Sequence, residues 1–284
     1  MLFGRPFSPL LYFMEKQGRM DNVSRGWCKG SSMRQVSLLV TVYNAGDNLA
    51  VTLQSIEEQD YQNIEVVIVD GGSTDGTLDL VRQFEDRIKD RAGLSLRWVS
   101  EPDGGLYDAM NKAYRLSSGD IIAVCNDRLC QPDAVSSLVG AVEAGGEGCV
   151  GAHSDLVYVE GERIIRRWHM GEGRISEGWM PGHPTLFLKR EIYEKYGLYD
   201  TSYQCAADYE FMVRFLKDKD NRLAYVPQVL VAMFYGGTSN AGIRNYLVSF
   251  REGYRALKKN GVGFPLWITI RRSMRVIFQF GKHI

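Results

Sequence analysis

Apolar residues fall along this chain in two alternating patterns. Residues 36–43 (VSLLVTVY), 64–69 and 121–125 are short, almost unbroken apolar runs, as expected of strands covered on both faces, and residues 94–99 supply a further strand. Between them apolar residues recur at helical spacing: Leu49, Leu53 and Ile56, then Leu106, Met110, Ala113 and Tyr114, which would pack their helices on the sheet. Strand, loop and helix in succession imply parallel strands joined by right-handed crossovers, so the expected fold class is α/β, a mostly parallel sheet flanked by helices. Polar loops close the C-terminal ends of the runs at residues 44–48, 70–77, 101–105 and 126–128. In open sheets of this kind ligands bind at that edge.

The pattern continues less regularly. Ala134, Leu138 and Val142 mark a helix, residues 149–158 a strand, and residues 157–168 a hairpin turning at Glu160 to Glu162. Residues 170–181 are Gly-rich and aperiodic and read as a mobile loop over the second half of the site. A strand at 185–188, a helix with Phe211, Val213, Phe215 and Leu216 on its apolar face, and a strand at 224–234 follow. Residues 235–240 form a Gly-rich turn. After Pro265 the residues Trp267, Ile270, Met274, Ile277 and Phe278 share one helical face, with Arg271, Arg272 and Arg275 beside it. The expected division is an N-terminal extension at 1–33, one domain at 34–240 with halves 34–132 and 133–240, and a helical tail at 241–284. The extension shows no sustained period and no long apolar region before a cleavage site, so no signal peptide is expected, and Met33 is an alternative start.

Charge changes this picture only locally. Lys plus Arg and Asp plus Glu are 34 each, which gives no argument for a nucleic-acid partner. The tail, however, carries nine Lys or Arg against the single acid Glu252. A basic amphipathic helix suits an anionic membrane surface, and it equally suits a helix packed on the domain with solvated arginines. The five cysteines are odd in number and scattered, which fits a reducing compartment better than a disulfide framework. With no long uncharged apolar run, the expected location is the cytoplasm, with peripheral attachment at the membrane face as the tail's contribution.

The loop DGGSTDGT at 70–77 lacks the G-x-G-x-x-G spacing of a dinucleotide fingerprint. Asp70 at the end of its strand is placed either to accept hydrogen bonds from a base or ribose, or to cap the turn and the next helix together with Asp75. Four stretches resemble, in order, motifs of the family 2 glycosyltransferases and their GT-A fold: TVYN at 41–44, VDGGSTDGT at 69–77, SEPDGGLYDAMNKA at 100–113 and GDIIAVCND at 119–127. HPT at 183–185, YEKYGLYD at 193–200, AADYEF at 206–211 and GGTSN at 236–240 resemble the acceptor-side half of the same family.

The resemblance implies that Tyr43 and Asp70 hold the base and ribose of a nucleotide-diphosphate-sugar, that Asp103 closes over the nucleotide, and that Asp127 binds Mg²⁺ or Mn²⁺ against the diphosphate. It implies an acceptor- or phosphate-side role for His183, and Asp208 as the base that deprotonates the acceptor, with Glu210 as the second candidate. A glycan or lipid-linked acceptor in cell-surface polysaccharide or lipopolysaccharide assembly follows from the same likeness. The chain departs from the pattern at the tip of the metal motif, where Arg128 stands in place of an acid and one residue is missing before Pro132. Three readings follow: Arg128 pairs with the diphosphate, Arg128 points to solvent while Asp127 alone holds the metal, or the protein is a catalytically weakened nucleotide-sugar- or glycan-binding assembly subunit. A nucleotidyltransferase, which shares the sheet topology, fits the ordered motifs less well.

Overall fold

The computed structural model describes residues 33–235 and 242–280, with the side chains of 242–244 and 276–280 left aside. The extension at 1–32 and the turn at 236–240 lie outside the described residues. The first half alternates as expected: β1 (Val36–Val42), α1 (Gly46–Glu57), β2 (Ile64–Asp70), α2 (Thr77–Ile88), β3 (Leu94–Ser100), α3 (Leu106–Leu116) and β4 (Ile121–Val124). Strands β1 to β4 are parallel, in the order β3-β2-β1-β4. The unbroken apolar runs are explained by the two layers they serve. Leu38, Val40, Val66 and Ile68 face Leu53, Ile56, Val81 and Phe84 of α1 and α2, while Leu39, Val67 and Val69 face Ala109, Met110 and Ala113 of α3. Leu106 is an exception to its expected face, 44% exposed at the first turn of α3.

The second half extends the same sheet: β5 (Arg128–Leu129), α4 (Ala134–Ala144), β6 (Cys149–Glu160), β7 (Arg163–Trp168), β8 (Phe187–Lys189), α5 (Arg190–Tyr196), α6 (Ala207–Leu216) and β9 (Arg222–Phe234). Strand β8 runs antiparallel between β4 and β6, β6 and β9 are parallel, and β5 returns antiparallel to β9. Residues 183–185, expected to lead straight into a strand, instead form a 3₁₀ turn, and the strand begins at Phe187. The Gly-rich segment at 170–181 is anchored rather than free. Met170, Ile175 and Trp179 are buried, and Asp155 accepts the Met170 N–H at 2.8 Å.

Two helices complete the described chain, α7 (Gly242–Lys259) and α8 (Pro265–Phe280). Ile268 and Thr269 of α8 turn inward, while Trp267 and Met274, from the face read as apolar, are exposed. Arg272 is not solvated beside that face. Its guanidinium lies 4.1 Å from the Tyr209 ring centroid and donates to the Ser249 carbonyl at 3.2 Å, in space that Gly253 leaves open. Ile277 and Phe278 lie outside the described side chains.

Candidate active site

The first two loops at the C-terminal edge are tied into one rim. Asn44, at φ 47°, accepts the Thr74 N–H on Oδ1 and donates its own N–H to Ser73 Oγ at 2.7 Å. Asp70 is fully buried and turned into the loop it closes: Oδ2 accepts from the Gly72 and Ser73 N–H groups and from Ser100 Oγ at 2.6 Å, and Oδ1 accepts from Ser73 Oγ. The geometry therefore gives Asp70 the role of organiser of the second and third loops. Above it, a Cβ on Gly71 would meet Asp103 Oδ2 at 2.7 Å and the Tyr43 ring at 3.5 Å, so a bare backbone lets these two side chains converge. Tyr43 is 66% exposed, its ring open to a ligand. Asp103 Oδ1 accepts the N–H of Gly105, whose φ of 106° starts α3.

At the end of β4, Asn126 is fastened to Thr41, accepting its N–H at 2.7 Å and donating to its Oγ1 at 2.9 Å. Among the described residues Asp127 accepts one hydrogen bond, from the Phe234 N–H at 3.1 Å. Burial pushes its carboxyl up to about 6, offset only in part by that N–H. Arg128 does not neutralise it: its guanidinium pairs at 3.0 Å with Glu162, on the β6–β7 turn. Among the described residues no group of three or more His, Cys, Asp or Glu could hold a metal.

The second half of the site is reached through α3. Tyr107, one turn beyond the Asp103 loop, donates from its hydroxyl to Asp208 Oδ1 at 3.2 Å. Burial, with the Asp208 charge behind it, drives the Tyr107 hydroxyl well above the ordinary range, which keeps it a donor. One turn further on, Asn111 binds both backbone groups of Tyr199, at 2.9 and 3.0 Å. Tyr199 OH meets His183 Nε2 at 2.8 Å and Tyr193 OH at 3.1 Å. Burial holds the His183 imidazole below its usual value, against the pull of Asp208, so the neutral ring is favoured. His183, Tyr199, Tyr107 and Asp208 therefore form one cluster. Glu210 does not join it. Fully buried on the other side of α6, it is paired with Arg214 at 2.8 Å and Lys259 at 3.2 Å.

Tyr107, Asn111 and Tyr199 were not singled out from sequence. The available signal was the spacing of Tyr107 and Asn111, one turn apart on a helix whose other inward positions are apolar. On β6, His153 is fully buried with neither ring nitrogen hydrogen-bonded, stacked on Tyr225 at 5.1 Å, and burial lowers it to about 4 despite the nearby Asp155. Asp155 itself is consumed by the Met170 N–H, Tyr225 OH, His169 and Arg167.

A mostly parallel sheet carries a polar rim at its C-terminal edge, and α3 bridges that rim to the cluster of Tyr107, Asp208, Tyr199 and His183 in the other half of the chain. The model of Glycosyl transferase family 2 matches residues 37–214, and the chain belongs to that family. It is 29% identical over 263 residues, 87% of this chain and 97% of the relative, to a PGL/p-HBAD biosynthesis glycosyltransferase of Mycobacterium tuberculosis. It is 28% identical over 177 residues, 59% of this chain and 56% of the relative, to the glycosyltransferase AglE of Haloferax volcanii. Among solved structures, its fold resembles the mannosyltransferase PcManGT of Pyrobaculum calidifontis in complex with GDP-Man and Mn²⁺, with TM-score 0.57, 20% identity and coverage of 98% and 84% of the two chains. S. aureus TarS 1-349 with UDP-GlcNAc gives TM-score 0.63 at 16% identity, over 86% and 73%. Glycosyl transfer is the activity that the family and these relatives' names support, on a GT-A fold.

Proposed function

We propose that this protein is an inverting glycosyltransferase that moves one sugar from a nucleotide-diphosphate-sugar to a hydroxyl of a glycan or lipid-linked acceptor in cell-surface polysaccharide assembly, at the cytoplasmic face of the membrane. The observation that carries this reading is the Tyr107–Asp208 hydrogen bond. It joins the helix that begins in the Asp103 loop to a half-buried carboxylate in the opposite half of the chain. In this reading Tyr43 stacks on the base and Asp103 closes on the nucleotide, over a rim whose shape Asp70 fixes. Asp208 takes the acceptor proton as the acceptor oxygen attacks the anomeric carbon from the face opposite the diphosphate, whose bond to that carbon breaks. Tyr107 and the neutral His183 hold Asp208 and the acceptor in register.

Asp127 fits a divalent cation as a lone protein carboxylate. It is desolvated, accepts one hydrogen bond and has no cationic partner among the described residues, and Mg²⁺ commonly takes one or two carboxylates with substrate phosphates and water. Mg²⁺ or Mn²⁺ there would supply charge neutralisation for the departing diphosphate. Arg128, the residue behind the non-catalytic alternative, faces Glu162 and leaves Asp127 Oδ2 without a described donor. The deciding experiment is Asp208→Asn assayed for transfer and for donor binding across a panel of nucleotide-sugars. Transfer is expected to fall by roughly 10²–10⁴-fold with donor affinity kept; retained turnover removes Asp208 as the base, and retention of the anomeric configuration in the wild-type product sinks the inverting mechanism.

A further inference from the structure

Arg214, one turn beyond Glu210 on α6, stands outside the cluster at Asp208, yet every nitrogen of its guanidinium is directed. Nε donates to Glu210 Oε2 at 2.8 Å, Nη1 to the Tyr196 carbonyl and Nη2 to the Leu198 carbonyl. Those two carbonyls flank Gly197, whose φ of 80° turns the chain out of α5 and toward Tyr199. The same turn is held from a second side by Asn111 of α3, on both backbone groups of Tyr199. A third hold comes from Lys259 at the end of α7, which pairs with Asp200 at 2.8 Å. Lys259 and Asn260 also reach Glu210 Oε1, at 3.2 and 3.1 Å, so the carboxylate behind Arg214 is itself fixed.

What this turn carries is the Tyr199 phenol. Its hydroxyl meets His183 Nε2 at 2.8 Å, and its ring lies 5.2 Å from that of Phe211, over which the Arg214 guanidinium sits. Holding the helices together explains less than this. Glu210 is 0% exposed, and a buried ion pair adds little over apolar side chains of equal volume, which would pack α6 on α7 as well. Apolar side chains cannot fix a turn through its carbonyls, whereas a planar fork of donors can. The directed contacts converge on the turn that orients His183.

We propose that Glu210 and Arg214 are positioning residues: through the Tyr196 and Leu198 carbonyls they set Tyr199, and through the Tyr199 hydroxyl they hold the His183 ring in its cluster with Asp208. This rests on the reading of Asp208 and His183 as the acceptor-side groups. Both residues of the pair act from the face of α6 turned about 200–240° away from Asp208.

The test is a double-mutant cycle in the full chain. Arg214→Lys keeps a cation for Glu210 but cannot fork onto both carbonyls, and Tyr199→Phe keeps the ring without its hydroxyl. Each should lower kcat per folded molecule about five- to tenfold with KM for the donor unchanged, as for one lost hydrogen bond. Because the first acts through the second, the double variant should fall no further than about tenfold, where independent effects would multiply. Glu210→Gln, isosteric and uncharged, loosens the anchor and keeps the test open where Arg214→Lys does not fold. It should cost about threefold in kcat, with nothing added in the Tyr199→Phe background. Losses that multiply, an unchanged kcat beside a lower stability in urea, or a higher donor KM in place of a lower kcat would overturn the proposal.

A readout without turnover separates the pair from the reaction. The His183 ring faces Tyr199 and Asp208 and is held below its usual value by burial; its titration is followed by NMR and identified by its loss in His183→Gln. In Arg214→Lys and Glu210→Gln it should rise toward about 6.5 as the turn loosens and admits water. That rise in a protein that transfers no sugar supports the pair and counts against the proposed reaction alone. A ring unmoved in both variants counts against the pair alone.

Discussion

Two desolvated carboxylates sit at opposite ends of the same sheet, and the protein treats them in opposite ways. Glu65, on β2 at the N-terminal edge, is 1% exposed and meets Ser37 Oγ at 2.6 Å, the Ser118 N–H at 2.7 Å, Ser118 Oγ at 2.8 Å and Arg97 at 3.1 Å. Burial alone would raise its carboxyl, but these donors and the Arg97 charge win, and it lies below the ordinary value. Asp127, beyond the C-terminal end of β4, has one N–H donor among the described residues and lies at about 6. A carboxylate with a saturated shell secures a chain crossing, here of β1, β2 and the α3–β4 turn. One left short of donors is destabilising unless a ligand completes it, and such incompleteness marks a functional position.

Asp127→Asn breaks the comparison at its active end. If the carboxylate holds a cation against the diphosphate, transfer should fall about 10²-fold or more, and chelation of divalent metal should do the same to the wild type. Transfer that survives both assigns leaving-group stabilisation to other residues. Glu65→Ala breaks the other end. Four donors lose their acceptor, the buried Ser37 hydroxyl among them, so thermal or urea unfolding should show a loss of about 2 kcal/mol, with kcat/KM per folded molecule unchanged.

The pH dependence of stability separates the two residues by sign. Glu65 has a depressed folded-state pKa, so its contribution is present above its unfolded value and is lost as pH falls through the folded one. Asp127 is raised, so the cost of ionising it is absent below about 4 and complete above about 6. Asp127→Asn should therefore stabilise the metal-free protein by about 2 kcal/mol at pH 8, with the gain disappearing near pH 4. Urea titrations of the two proteins at several pH values check this. Equal curves would show that Asp127 is solvated well enough to ionise freely.

The sheet was legible because its strands need no long-range knowledge to recognise: residues such as Leu38 and Leu39 must both be apolar when opposite layers cover them. The rim was legible for a similar reason, since Asp70, Gly71 and Asp103 stand at strand ends. What stayed hidden depends on contacts between distant segments. Nothing near Glu210 in the sequence distinguishes it from Asp208, two residues away. A helix turns those two positions about 200° apart, and only packing against Arg214 and α7 shows which faces the site. Arg128 is similar, because the hairpin that brings Glu162 to it lies more than 30 residues later. The direction of α8 was equally hidden: Trp267 and Met274 turn outward, because Ile268, Thr269 and Arg272 on the other side are the residues that pack.

A smaller effect is expected at the bridge between the halves. Tyr107→Phe removes the hydroxyl that Asp208 accepts and keeps the ring that packs near Tyr199. A single hydrogen bond to a carboxylate, partly replaced by water, corresponds to about a fivefold fall in kcat with KM for the donor unchanged. An unchanged kcat would mean that packing alone positions Asp208.

The smallest change probes the rim. In Gly71→Ala the new methyl would meet Asp103 Oδ2, the far end of a side chain that can rotate, so the fold should survive with little loss. The rotation breaks the Asp103 contact with the Gly105 N–H and shifts the carboxylate away from Tyr43. If that convergence serves only the nucleotide, KM for the donor should rise about threefold while kcat stays the same, because binding common to ground and transition states is what has been weakened. A fall in kcat at unchanged KM would instead tie Asp103 to the reacting centre through α3, and the division of the site into a binding rim and a chemical cluster would no longer hold.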